Sequence, residues 1–198
     1  MATGSREQAT AVLITRYTYK PSLVGKACEF ELREEGLSWR IAGRTGLWPY
    51  ASLAAIRLSY RPVSMQARRF RADIRNAAGA RVSILSTSWQ TAALMAPQDE
   101  AYRNFLRELH RRMKETGSHA VLTAGLRPAV YGIAIALVAL VMLAIAGLLV
   151  MALGQRQWMA ALSLVGFVAL FGWQLGGFIG RNRPRAYSFD HLPRTLLP

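Results

Sequence analysis

From residue 27 to 87 apolar side chains return at every second position, the period of a strand. Cys28, Phe30 and Leu32 alternate with Glu29, Glu31 and Arg33, and after the turn EEG, Leu37, Trp39 and Ile41 alternate with Ser38 and Arg40. Ile56, Leu58 and Tyr60 interleave with Arg57, Ser59 and Arg61. Phe70, Ala72 and Ile74 interleave with Arg69, Arg71, Asp73 and Arg75, and Val82 and Ile84 with Arg81 and Ser83. The run AVLITRYTY at 11–19 predicts one more strand. Gly36, Gly43, Gly46, Pro62 and Gly79 fall where turns belong. Such alternation is the pattern of antiparallel strands with one buried face.

Near residue 98 the period changes to that of a helix. Pro97, Asp99 and Glu100 open it, Tyr102, Phe105, Leu106, Leu109 and Met113 share one face, and Gly117 closes it. Residues 129–153 and 158–180 then run apolar without a charge, separated by GQRQ at 154–157. At about 1.5 Å per residue each run is long enough to cross a hydrocarbon core of roughly 30 Å. The short connection predicts a helical hairpin with both outer ends on one side. Arg111, Arg112, Lys114 and Arg127 precede it and Arg181, Arg183, Arg185 and Arg194 follow, against Arg156 alone in the loop. The positive-inside rule therefore places both termini in the cytoplasm and the loop outside. Tyr131 and Trp158 sit where interface anchors belong.

The resulting fold class is α+β: an antiparallel barrel or sheet with one C-terminal amphipathic helix, followed by a two-helix transmembrane hairpin. The expected partition is a flexible N-terminus at 1–10, a cytoplasmic domain at 11–116, a linker at 117–128, spans at 129–153 and 158–180 around the loop 154–157, and a basic cytoplasmic tail at 181–198. The N-terminal apolar run is too short for a secretory signal, and no lipidation motif is apparent. A lone cysteine, Cys28, fits a reducing compartment.

That order of elements resembles the pleckstrin-homology-like fold, a bent antiparallel barrel closed at one end by a C-terminal helix. The segments FELREEGLSWRIAGRTGLWPYASLAAIRLSYRP and LSTSWQ...AYRNFLRELHRR are also similar to a group of small proteobacterial membrane proteins that carry such a domain ahead of two spans. The resemblance implies a fold and an inner-membrane address, and no reaction. The Lys and Arg that flank the first hairpin in phosphoinositide-binding members have no clear counterpart: Arg33 and Arg40 lie near that place, with Glu34 and Glu35 in the turn between them.

Signals for catalysis are sparse. His110, His119 and His191 have no ligand partner at a metal-site spacing. Cys28 alternates with the buried face and reads as a core residue. AGRTG lacks the spacing and lysine of a phosphate-binding loop. Glu29 and Glu31 share a strand face, where cross-strand pairing with Arg40 is the ordinary use. No enzyme, cofactor or metal is expected.

Charge changes the picture more. The chain carries a net charge of +14, from 22 arginines and three lysines against 11 acids, and six of the arginines fall within 57–75 beside one acid, Asp73. On the strand reading Arg57, Arg61, Arg69, Arg71 and Arg75 form one outward basic plate around PVSMQA. It is either a solvated face or a surface for anionic lipid headgroups or a protein partner. Nucleic acid is not expected, because no aromatic platform or helix-turn-helix accompanies the charge. In the spans, Gly132, Ala136, Ala139 and Ala146, and Gly172, Gly176 and Gly180, follow at helical spacing and are expected to pack helices, within the hairpin, in a homodimer or against a partner subunit. Gln174 is expected to act as an interhelical hydrogen-bonding group. Two functions follow from these readings: a membrane-tethered binding module, or an accessory scaffold subunit of a larger membrane complex.

Overall fold

The computed structural model describes residues 15–62, 68–91 and 95–198, the side chain of Gln174 excepted. The expected N-terminal segment 1–10, the first residues of the strand at 11–19, most of the PVSMQA turn and the role of Gln174 lie outside what is described. The chain divides into two units, 15–124 with Arg185–Pro198, and Gly125–Pro184.

The first unit is α+β. Strands β1 (Arg16–Tyr19), β2 (Cys28–Leu32), β3 (Leu37–Ile41) and β4 (Arg44–Trp48) form an antiparallel meander. Strands β5 (Leu53–Tyr60), β6 (Phe70–Asn76) and β7 (Arg81–Leu85) form a second antiparallel set, and β8 (Thr87–Trp89) pairs with β9 (Met95–Pro97). Of the two alternatives expected, barrel or sheet, the structure has sheets: the two larger ones are separate ladders, and no closed barrel is formed among the described residues. Two tyrosines of β1 nevertheless reach the other sheet: Tyr17 donates to the Leu85 carbonyl and Tyr19 to that of Ser83, each at 2.6 Å. Helix α1 (Asp99–Glu115) buries Tyr102, Phe105, Leu106, Leu109 and Met113 completely against the inner faces, the stripe its spacing predicts.

Strand β4 was hidden from the alternation by Gly46. The register pairs Gly46 with Trp39, and an added Cβ would lie 2.5 Å from the indole ring. The ring occupies the space of a side chain, so this strand needs a glycine where the period asks for an apolar residue.

Most of the expected linker, 117–124, and of the expected tail, 185–198, belong to this same unit. Strand β10 (Val121–Ala124) runs parallel to β5, and β11 (Arg185–Ala186) pairs antiparallel with β10, giving the order β11-β10-β5-β6-β7. Residues 117–128 are therefore not a simple linker. Nor is 185–198 a free basic tail: Leu196 and Leu197 are buried in the core, and Tyr187 donates to the Nε2 of buried His110 at 2.9 Å. The Nδ1–H of His110 donates to the Leu106 carbonyl at 2.7 Å, so that in the neutral ring Nε2 is the acceptor.

The second unit holds α2 (Pro128–Gly154) and α3 (Trp158–Arg181), both long and apolar enough to cross a membrane. Pro128 starts α2 at a position where its missing N–H costs nothing. Arg156, with φ 57°, turns the chain between the helices, and the Arg156 and Gln157 amides close the end of α2 on the Leu153 and Ala152 carbonyls. At the open end the connectors are pinned together. Gly125 has φ 86°, its missing Cβ would lie 2.4 Å from the Asn182 carbonyl oxygen, and the Leu126 amide donates to that oxygen at 3.0 Å.

Candidate functional site

Arg57, Arg71 and Arg75 lie on the outward face of β5 and β6, and Arg61 and Arg69 just beyond the ends of those strands, but the five do not make one unbroken plate. Asp73 is the reason: it stands opposite Arg57 in the register and holds Arg71 at 2.7 Å, while Ser83 donates to it at 2.6 Å. Arg71 also donates to the Ser83 hydroxyl at 3.0 Å. This closed group splits the arginines into two clusters. At one end the Arg61 amide bonds the Arg69 carbonyl, and the Arg69 guanidinium is pushed below its ordinary value, first by burial and then by the charges of Arg71 and Arg61. At the other end exposed Arg75 stands opposite Arg81, a like-charge pair whose second member the sequence reading left out.

A second cationic surface was not anticipated. The loop from Lys20 to Ala27 joins β1 to β2, and its base is tied to β8. The Lys20 amide donates to the Ser88 hydroxyl at 3.0 Å, and the Trp89 amide donates to the Lys20 carbonyl at 3.1 Å. Ser22 donates to the Val24 carbonyl at 2.7 Å and bends the tip. There Val24 is 92% exposed and Leu23 48%, between two lysines. Beside the tip is a concavity of about 470 Å³ lined by Lys20, Lys26, Arg40, Glu29 and backbone at Gly25 and Gly43. Glu29 is shared, at 3.4 Å from Arg16 and 3.6 Å from Arg40, and the Glu29–Arg40 contact is the cross-strand pair expected from the alternation. Neither lysine ammonium has a hydrogen-bond or ion-pair partner among the described residues. The only signal in the sequence was KPSLVGK itself, two apolar residues bracketed by lysines, which reads equally well as an ordinary turn.

The small residues of the spans face away from the hairpin's own contact. Ala152 and Ala161 are buried, and Ala134, Val138, Ile145 and Leu149 on α2 and Leu164 and Val168 on α3 are half-buried, each set at steps of three, four or seven on one helix face. Gly132, Ala136, Ala139, Ala146, Gly172, Gly176 and Gly180 are exposed, and a Cβ added at any of the four glycines meets nothing within 4 Å. Within the chain, then, these positions do not hold the helices together.

Among the described residues no group of histidine, cysteine and carboxylate side chains is arranged to hold a metal ion. Cys28 is buried, and burial pushes its thiol up, away from the reactive thiolate. His110 is occupied on both ring nitrogens, and burial lowers its pKa to about 4. No protein-family model, curated protein or solved structure matches the chain.

Proposed function

We propose that the chain is a non-enzymatic membrane protein whose sheet-and-helix unit is a pleckstrin-homology-like module that engages anionic lipid at the cytoplasmic face of a bacterial inner membrane. In this reading α2 and α3 cross the bilayer with both termini in the cytoplasm. Their support is length, apolar runs without charge, and apolar side chains exposed everywhere outside the hairpin's own contact, which a soluble protein rarely tolerates over such an area. The meander β1–β4, the set β5–β7 and the following α1 have the element order of the pleckstrin-homology-like fold.

The observation that carries the lipid reading is the β1–β2 loop, with an exposed Leu23–Val24 tip between Lys20 and Lys26, which have no side-chain partner among the described residues. Burying a leucine or valine side chain in an apolar medium is worth about 1.5–3 kcal/mol. A lysine near an anionic leaflet adds about 1 kcal/mol. Those terms are too small to recruit a free protein firmly, and they suffice for a module that the hairpin already holds at the surface, where its effective concentration is on the order of millimolar.

The test is an environment-sensitive fluorophore at Val24→Cys in the full chain, reconstituted in nanodiscs of phosphatidylcholine with or without phosphatidylglycerol. A blue-shifted emission that grows with phosphatidylglycerol and is lost in Lys20→Ser/Lys26→Ser supports the reading. Identical, water-like emission in both discs overturns it.

The exposed Gly172, Gly176 and Gly180 favour a second reading, an accessory subunit docked through α3. Gly176→Leu separates the two, because loss of assembly size with an unchanged loop signal belongs to docking alone.

A further inference from the structure

The return of the chain after α3 builds a groove that neither reading uses. The outer face of α1 and the segment 189–197 enclose about 690 Å³, within the range of small-molecule sites. Phe189, Leu192 and Leu197 form its apolar part, the first two half-buried.

Its charges do not cancel. Of the two acids that line it, Glu115 is taken by Arg111 at 2.5 Å and Asp190 by Lys114 at 2.5 Å. Glu108 alongside is taken by Arg111 and Arg112, which hold its carboxyl down at about 2. Arg107 and Arg194 also line the groove, one from the helix and one from the returning segment, and neither guanidinium has a partner among the described residues. The segment itself is fastened: Arg103 donates to the Pro198 oxygen at 2.5 Å, Arg185 to the Thr195 hydroxyl, and Leu196 is buried. Two unneutralised guanidiniums on separate elements, over an apolar floor, match an anion with an apolar body, because guanidinium pairs phosphate through parallel N–H donors.

We infer that the α1–189–197 groove is a binding site for an amphipathic organic phosphate, with Arg107 and Arg194 as its phosphate ligands and Phe189, Leu192 and Leu197 as the seat of its apolar part. The phosphate belongs either to a lipid or to a soluble metabolite.

Isothermal titration of the full chain in phosphatidylcholine nanodiscs tests the site, with phenyl phosphate as the soluble probe, dihexanoyl phosphatidic acid as the lipid probe and empty discs as blank. Saturable binding is expected. It should weaken about tenfold or more in Arg107→Gln/Arg194→Gln and less in the double lysine variant, which keeps the charge and loses the fork. Arg44→Gln, which removes a cation from exposed β4, should leave it unchanged. Tighter binding of the phosphatidic acid assigns the site to lipid, and equal or weaker binding assigns it to a soluble phosphate. Absence of saturation with both probes, or equal affinity in the double glutamine variant, overturns the inference. Arg107 and Arg194 are exposed, so unchanged thermal unfolding of the variants shows that a loss is not misfolding.

Discussion

His110 shows how much one side chain can bind together. It sits on α1, donates to its own helix and accepts from Tyr187, which arrives from beyond the hairpin. Burial keeps the ring neutral, and the folded pKa of about 4 lies below the ordinary 6.5. Between those values the unfolded chain binds a proton that the folded chain does not. Stability is therefore complete above pH 6.5 and falls as the pH drops toward 4, by roughly 3 kcal/mol for the full shift. Glu108 titrates lower, its stabilising effect being lost between its ordinary 4.5 and about 2. Unfolding of the first unit followed from pH 7 to 5 isolates the histidine, and His110→Gln should flatten that slope. A slope equal in variant and wild type would remove His110 from the account. None of this was legible in the sequence, where His110 was one of three scattered histidines, because its partner lies 77 positions away. The arginines were half legible. Alternation put Arg57, Arg71 and Arg75 on the correct face, with Arg61 and Arg69 just beyond the strand ends, and one acid in the cross-strand register sufficed to divide the five.

At the scale of elements, legibility followed length and regularity. Strands β2, β3, β6 and β7 and helix α1 have five to 17 residues with a regular period, and each lies where its pattern put it; β5 also does from Ile56 on, after a register shift between Leu53 and Ala55. β4 is masked by Gly46, and β10 and β11, with four and two residues, are too short to show a period. Their pairing has a practical consequence. Ala124 and Arg185 are partners in the ladder, so a two-residue Asn-Gly turn should join them in place of residues 125–184. The joined protein is expected to be soluble and to unfold cooperatively. A fragment ending at residue 126 lacks β11, Leu196 and Leu197, and thus roughly 3–6 kcal/mol of leucine burial out of a typical 5–15 kcal/mol. It should be largely unfolded by circular dichroism. Equal stability of the two proteins would show that the returning segment contributes little.

Taken whole, the proposed lipid reading sets two kinds of contact with a bilayer beside each other, and they respond differently to salt. The Lys20 and Lys26 attraction is screened over a Debye length of about 8 Å at physiological ionic strength, whereas insertion of Leu23 and Val24 is not. Raising salt on the full chain in anionic nanodiscs should therefore lower the Val24→Cys emission shift to an intermediate level rather than abolish it. Complete loss would make the contact purely electrostatic and remove the apolar tip from the mechanism.

The pairing of β10 with β11 also dictates a chronology. A ribosome delivers residues 15–124 first, then the 60 residues of Gly125–Pro184, and only then Arg185–Pro198, which carries Leu196 and Leu197 into the core. While the apolar helices emerge, the first unit still has an uncovered β10 edge and a gap where those leucines belong. Its last folding step is thus timed to follow delivery of the hairpin, and a nascent chain stalled between α2 and α3 exposes an unfinished core to proteases.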